Sequence, residues 1–216
     1  MKLKKMLLTL TAAAVLAVSI PFAAMAVNGG ETALPAGDET VFVPGSIPAE
    51  TGAVESMTPA LHAGLLTLLH LGDDAFTSDA GRWETVYNML SLYGQLDERA
   101  DSGDGLLTVP AETVLDFSAA LPGGPVDLNT LPEELADRMT YLADQDSFRV
   151  VCGDDNLAEI RLDRSSVERD KLVLSGSLVY SVDDSVLTGF RAVLRPADNL
   201  FGYQIQPNCL RSVSGT

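Results

Sequence analysis

Hydrophobic positions change their spacing several times along this chain, and each change marks a different kind of segment. Residues 6–22 are almost continuously apolar, preceded by Lys2, Lys4 and Lys5 and followed by Ala24-Met25-Ala26. A basic start, an apolar middle and small residues (Ala24, Ala26) at the two positions a signal peptidase reads predict an export signal over 1–26. The competing expectation is an uncleaved anchor, because a run of this length nearly crosses a hydrocarbon layer of about 30 Å. Thr9, Thr11, Ser19 and Pro21 weaken the run as a span, so cleavage is the preferred reading. No cysteine lies near the junction, which argues against a lipid-modified terminus. The expected location is secreted or extracytoplasmic, with the membrane touched only through a retained signal.

Residues 27–56 are punctuated by Gly, Pro, Asp and Glu, with Val41-Phe42-Val43 as the one apolar cluster. So little apolar surface does not offset the entropy of ordering, which predicts a flexible acidic linker, with 41–43 able to dock as an edge strand. From residue 58 the spacing becomes helical. Leu61, Leu65, Leu68 and Leu69 define a first helix, with Thr58 as cap and Pro59 in its first turn. Trp83, Val86, Tyr87, Leu90 and Tyr93 define a second over 79–93. A third begins at Pro110, with Thr108 as its cap, and buries Val114, Phe117 and Leu121. A fourth opens at Thr130, carries Glu133 and Glu134 at the positive end of its dipole, and buries Leu135, Met139 and Leu142.

Beyond residue 146 the period drops to two. Leu172, Leu174, Gly176, Leu178, Tyr180 and Val182 alternate with Val173, Ser175, Ser177, Val179 and Ser181. Phe190, Ala192 and Leu194 alternate with Arg191, Val193 and Arg195 up to Pro196, and Asp183-Asp184-Ser185 reads as the turn between the two runs. Weaker strands are expected over 148–152, 158–162 and 203–213, the last broken near Pro207-Asn208. The expected fold class is α+β: about four N-terminal helices (57–146) on one face of a C-terminal antiparallel sheet of about five strands (147–216), in one domain over 57–216.

Composition changes this picture in one respect. The chain of 216 residues has 14 basic against 30 acidic side chains and a net charge of −16. Its 46% hydrophobic content is too high for a disordered chain. Removal of residues 1–26 takes away three lysines and leaves a charge of −19. The linker carries −5, residues 57–146 carry −13, and residues 147–216 carry only −1, with eight basic residues among them. The helical part is therefore acidic and the strand-rich part nearly neutral. Such a chain is a poor partner for nucleic-acid phosphates, which need Lys and Arg.

Candidate chemistry is sparse. Cys152 and Cys209 fall near the ends of the first and last expected strands; a disulfide joining the sheet's outer elements is one reading, two separate buried thiols the other. His62 and His70 are the only histidines and have no ligand-spaced partners, so no metal and no cofactor is expected. Both lie far from the cysteines along the chain, which argues against a Cys–His nucleophile. Motifs of serine hydrolases are absent. Asp101-Ser102-Gly103-Asp104-Gly105 imitates the middle of a calcium loop, yet the bidentate Glu is misplaced and Pro110 intrudes, so an Asp/Gly turn before a helix is expected. No catalytic residue is assigned. Arg161, Arg191 and Arg195, with the outward serine row, form the candidate ligand-binding surface; pairing of these arginines with Glu159 and Asp163 is the competing account.

Val109-Pro110-Ala111-Glu112, then Val114 and Phe117, followed by Leu131-Pro132 and a strand-rich tail, resembles functionally uncharacterised exported proteins of Gram-positive anaerobic bacteria. The resemblance implies no activity. The expected function is a non-catalytic binding or cell-envelope accessory module with an unidentified envelope or extracellular partner. The alternatives are a small secreted hydrolase using carboxylates and a small-ligand cavity protein.

Overall fold

The computed structural model describes residues 46–47, 51–72, 75–153 and 157–213. The expected signal at 1–26, most of the expected linker, the cluster at 41–43, Asp73-Asp74 and Asp154-Asp155 lie outside the described residues. The last six linker positions form a helix, α1 (Thr51–Ser56), and Ser46–Ile47 forms a short strand, β1. Val54 is buried in the core, which gives this end of the acidic stretch an apolar anchor that composition averaged away.

Helices α2 (Thr58–Leu71) and α3 (Asp79–Tyr93) match the expected spacing. In α2, Leu61, Leu65 and Leu68 are buried, but Leu69 is 47% exposed. Pro59 sits in the first turn, where its missing N–H costs nothing, while Met57 rather than Thr58 occupies the cap position. Ser78 caps α3 by accepting a hydrogen bond from the Gly81 N–H at 3.1 Å. Trp83, Val86 and Leu90 are fully enclosed.

The chain then departs from expectation. Asp101–Gly103 (β2) and Leu106–Pro110 (β3) form a hairpin. Its turn residues Asp104 and Gly105 have φ of 53° and 74°, the twist that matches two paired strands. Thr108 is therefore a strand residue, and the third helix, α4 (Ala111–Ser118), starts directly after β3. The fourth expected helix does not form. Leu128–Thr130 and Glu133–Leu135 are single 3-10 turns, and Met139–Leu142 is a strand, β4. Asp127 accepts from the Asn129 N–H at 3.0 Å, a local turn that competes with helix. Leu135 and Met139 are buried as their spacing suggested, but Met139 reaches the core from a strand paired with Ser147–Val151 (β5). That hairpin pairing, which closes across residues 143–146, outweighs the modest local preference for helix.

The expected single sheet is two antiparallel sheets. The smaller has the order β2-β3-β5-β4. The larger has six strands, built on the long strands β6 (Ala158–Glu168), β7 (Lys171–Tyr180) and β8 (Val186–Pro196). β1 flanks β6, while β9 (Tyr203–Ile205) and β10 (Arg211–Val213) both pair with β8. The fold class is α+β, with α1 to α3 preceding every strand but β1. Leu172, Leu174, Leu178, Phe190, Ala192, Leu194 and Ile205 line the inner face of the large sheet and share one core with α2, α3, α4 and the small sheet. Trp83 packs 5.8 Å from Phe148, and the Tyr87 hydroxyl donates to the Val151 carbonyl at 3.0 Å, so α3 is seated on β5.

One irregularity positions the outer face. A bulge after Leu162 inserts Asp163, so that Arg161 pairs with Ser177 and Arg164 with Ser175. Opposite it, a Cβ on Gly176 would lie 2.1 Å from the Arg161 carbonyl oxygen, so the strands can approach this closely only at glycine.

Candidate functional site

Strict alternation would place Arg161 and Arg164, three residues apart, on opposite faces of β6. The bulge places both on the outer face. In register across the sheet, Arg164 faces Ser175, Ser175 faces Arg191, and Arg191 faces Arg211. A single cross-strand row thus holds three arginines and a serine, with Ser177 and Gly189 in the next row. Arg164, Arg191 and Arg211 are exposed, and among the described residues none has a carboxylate within ion-pair distance. Arg211 donates from Nε to the Asn208 carbonyl at 2.8 Å, which anchors one edge of its fork. A groove of about 500 Å³ meets the row at Arg191 and is lined also by Val193, Gln206, Cys209 and the turn residues from Glu168 to Lys171.

Of the three arginines expected from sequence, only Arg191 lies in this row. Arg161 forms an exposed ion pair with Asp184 of the β7–β8 turn, in place of the expected Glu159 or Asp163. Arg195 donates from Nε to Gln204 Oε1 at 3.0 Å, and Gln204 in turn donates to the Leu121 carbonyl at 3.1 Å. Arg195 therefore ties β8 to β9 and the segment after α4. Sequence reasoning missed Arg164 and Arg211. The available signal was Gly176, a lone glycine inside a strand pattern, which marks a bulge on itself or its neighbour.

A second cavity, of about 400 Å³, lies elsewhere and brings together residues far apart in sequence: His62, Ser91, Tyr93, Ser102 and Cys152. His62 is buried, and its Nδ1 shares a 2.6 Å hydrogen bond with the Tyr93 hydroxyl. Burial lowers the imidazole pKa to about 4 and raises those of the Tyr93 hydroxyl and the Cys152 thiol. The sequence argument that no histidine is near a cysteine thus fails in space. Burial favours the neutral form of both groups, whereas a nucleophilic cysteine needs a thiolate.

Cys152 and Cys209 are both free thiols, which corrects the bridged reading. The strands near them belong to different sheets: Cys152 follows β5 of the small sheet, and Cys209 precedes β10 of the large one. Buried Glu84 and half-buried Asp97 and Asp116 are engaged. Glu84 receives both arms of the Arg138 fork at 2.9 and 2.7 Å, and Asp97 and Asp116 each lie 2.7 Å from Arg99. Among the described residues no three His, Cys, Asp or Glu side chains gather as metal ligands. His70 is exposed, 3.7 Å from Glu84.

No family model, curated protein or solved structure matches the chain.

Proposed function

We propose that this protein is an exported, non-catalytic binding module of the cell envelope that presents the outer face of its large sheet to its partner. The observation that carries the reading is the Arg164–Ser175–Arg191–Arg211 row. In a chain with 30 acids against 14 bases, arginines are scarce, and three stand together without carboxylate partners among the described residues. Exposed cations gathered on one face attract and orient an anionic partner. Export rests on the segment 1–26 and on the resemblance to exported proteins. A carboxylate hydrolase has less support, because Glu84 and Asp97 are already bonded to arginines.

The test is retention on an isolated cell-envelope fraction. Ser175→Glu with Ser177→Glu adds two carboxylates to the face and should lower retention about tenfold while leaving the melting temperature within a few degrees. Retention equal to that of the wild type would remove the outer face as the interaction surface.

A small-ligand cavity is a second reading, favoured by an apolar groove of about 470 Å³ lined by Pro59, Tyr93, Leu96, Phe117, Leu200 and Phe201. Leu96 and Leu200 are 73% and 64% exposed there. Saturable binding of an apolar fluorescent dye, lost in Leu200→Glu, would support it; dye binding unchanged in that variant would reject it.

A further inference from the structure

We infer that the apolar groove beside Leu96 and Leu200 binds a small ligand with an apolar body and a cationic head, an aliphatic amine or quaternary ammonium. This rests on the second reading above, the small-ligand cavity, and it names the charge of what enters.

The walls of the groove are held in place. Leu96 ends the 3-10 turn Gly94–Leu96 behind α3, and Leu200 lies in the connection between β8 and β9. That connection is pinned by Asn199, whose side chain donates to the Ala119 and Tyr203 carbonyls at 3.2 and 3.0 Å and accepts from the Phe201 N–H at 3.0 Å. Ser56 Oγ donates to the Phe201 carbonyl at 2.8 Å. A segment fixed this firmly still turns Leu200 to water, and Leu96 is the most exposed large hydrophobic side chain among the described residues. Both border a volume of about 470 Å³, which lies within the range of small-molecule sites. Walls already ordered lower the entropic cost of binding.

Charge selects among apolar ligands. Asp97, Glu98 and Arg99 also line the groove. Arg99 is its one cation among the described residues, and Asp97, Glu112 and Asp116 share that cation at 2.7, 3.3 and 2.7 Å. An anionic head therefore finds no free cation there and meets carboxylates instead. Glu98 is exposed and has no ion-pair partner among the described residues. A ligand cation beside it supplies the missing charge.

The aromatic lining favours the same sign. Phe117 and Phe201 pack edge to face with centroids 5.6 Å apart, and Tyr93 adds a third ring. Ring faces are electronegative, so they attract an ammonium and disfavour a carboxylate. The net charge of −16 also makes a second copy of the chain a poor occupant.

The experiment measures displacement of the apolar dye by octyltrimethylammonium, 1-octanol and octanoate, which share one alkyl chain, each below its micellar concentration. The cation should bind about threefold tighter than the alcohol and at least about tenfold tighter than the carboxylate. Glu98→Gln should weaken the cation about threefold and leave the alcohol within about twofold; Glu98→Lys should weaken the cation about tenfold. Glu133→Gln removes the same charge from an exposed position outside the groove and should leave every probe within about twofold. Leu96→Ser with Leu200→Ser should weaken cation and alcohol alike, at least about fivefold. All four positions are exposed, so melting temperatures should stay within a few degrees. The inference is overturned if the alcohol or the carboxylate binds as tightly as the cation, or if both Glu98 variants bind the cation as the wild type does. Equal losses in Glu133→Gln and Glu98→Gln would also overturn it, by pointing to net charge rather than the groove. If it fails while the dye still binds saturably and the double serine variant loses it, the cavity stands and only the charge of its ligand is wrong. If neither the dye nor any probe binds, both readings fall.

Discussion

His62 illustrates how a single side chain couples burial to pH. Only 5% of it is exposed, and burial holds its pKa at about 4 against an ordinary 6.5. The folded chain therefore keeps the imidazole neutral over a range where the unfolded chain protonates it. The unfolded state binds more protons between pH 6.5 and 4, so stability must fall as pH drops through that window and be flat above it. The slope from this group is at most about 1.4 kcal/mol per pH unit. The stability difference between the wild type and His62→Gln in urea unfolding should be constant above pH 6.5 and change as pH falls from 6.5 toward 4, in the direction of wild-type loss. Parallel curves would show that His62 does not titrate between the two states.

Gly176 is the other position where one atom decides a larger feature. A methyl group there would meet the Arg161 carbonyl at 2.1 Å, and backbone cannot yield as a side chain does. Gly176→Ala should cost about 2–3 kcal/mol in denaturant unfolding. By closing out the bulge, it should also carry Arg164 off the outer face. Loss of stability with envelope retention intact would separate the bulge from the arginine row.

At the level of elements, the stretch after α3 is held by charge. Arg99 meets Asp97, Asp116 and Glu112, joining the segment behind α3 to α4. The hydrogen bond from the Arg99 side chain holds the Asp97 carboxyl at about 2, below its usual 3.8. The stabilisation is present above pH 4 and lost as pH falls through 2. The Arg99 side chain is 37% exposed, so water screens the interaction, and Asp97→Asn should cost about 1 kcal/mol at neutral pH and nothing near pH 2. A deficit that persists at pH 2 would mean that packing, not charge, is what the variant removes.

Elements also differ in how far local sequence determines them. The α2 and α3 helices and the β7–β8 pairing were legible because a local period and a local cap or turn point the same way. The Asp104-Gly105 turn was legible as a turn, but strand β3 was not, because Leu106–Pro110 is short and precedes a helix. The segment from 130 to 142 shows the limit most clearly. Its burial pattern suits a helix, yet Met139–Leu142 pairs with β5, and no local signal announces a partner that the chain reaches only after the next turn.

For the whole molecule, the division into two sheets has a chemical consequence. Cys152 and Cys209 serve different sheets and remain thiols, so the unreduced protein, once denatured, should titrate two thiols per chain and keep its mobility without reductant. Zero titratable thiols would restore the bridged reading. The same division separates the charges. The acidic helical part and the arginine-bearing large sheet meet across one core, so cations face outward on one sheet while most carboxylates lie elsewhere.

The candidate site was only partly readable, for a related reason. Arg191 was visible as an outward residue of a regular strand. Arg161 and Arg195 were outward too, but Asp184 and Gln204 claim them, and neither partner follows from alternation. Arg164 was hidden by the bulge and Arg211 by the broken last strand.

The sequence by itself determined the α+β class, the α2 and α3 helices, the long β7–β8 pairing and the asymmetry of charge, since each follows from composition or from periods and turns within a few residues. Tertiary structure alone decided the second sheet, the fate of residues 130–142, the separation of the two cysteines and the alignment of the arginine row. Each of these depends on which strands pair, for residues 130–142 the adjacent β5 and for the others strands distant in the chain, and in one case on an inserted residue that reverses a strand's faces, which no local period records.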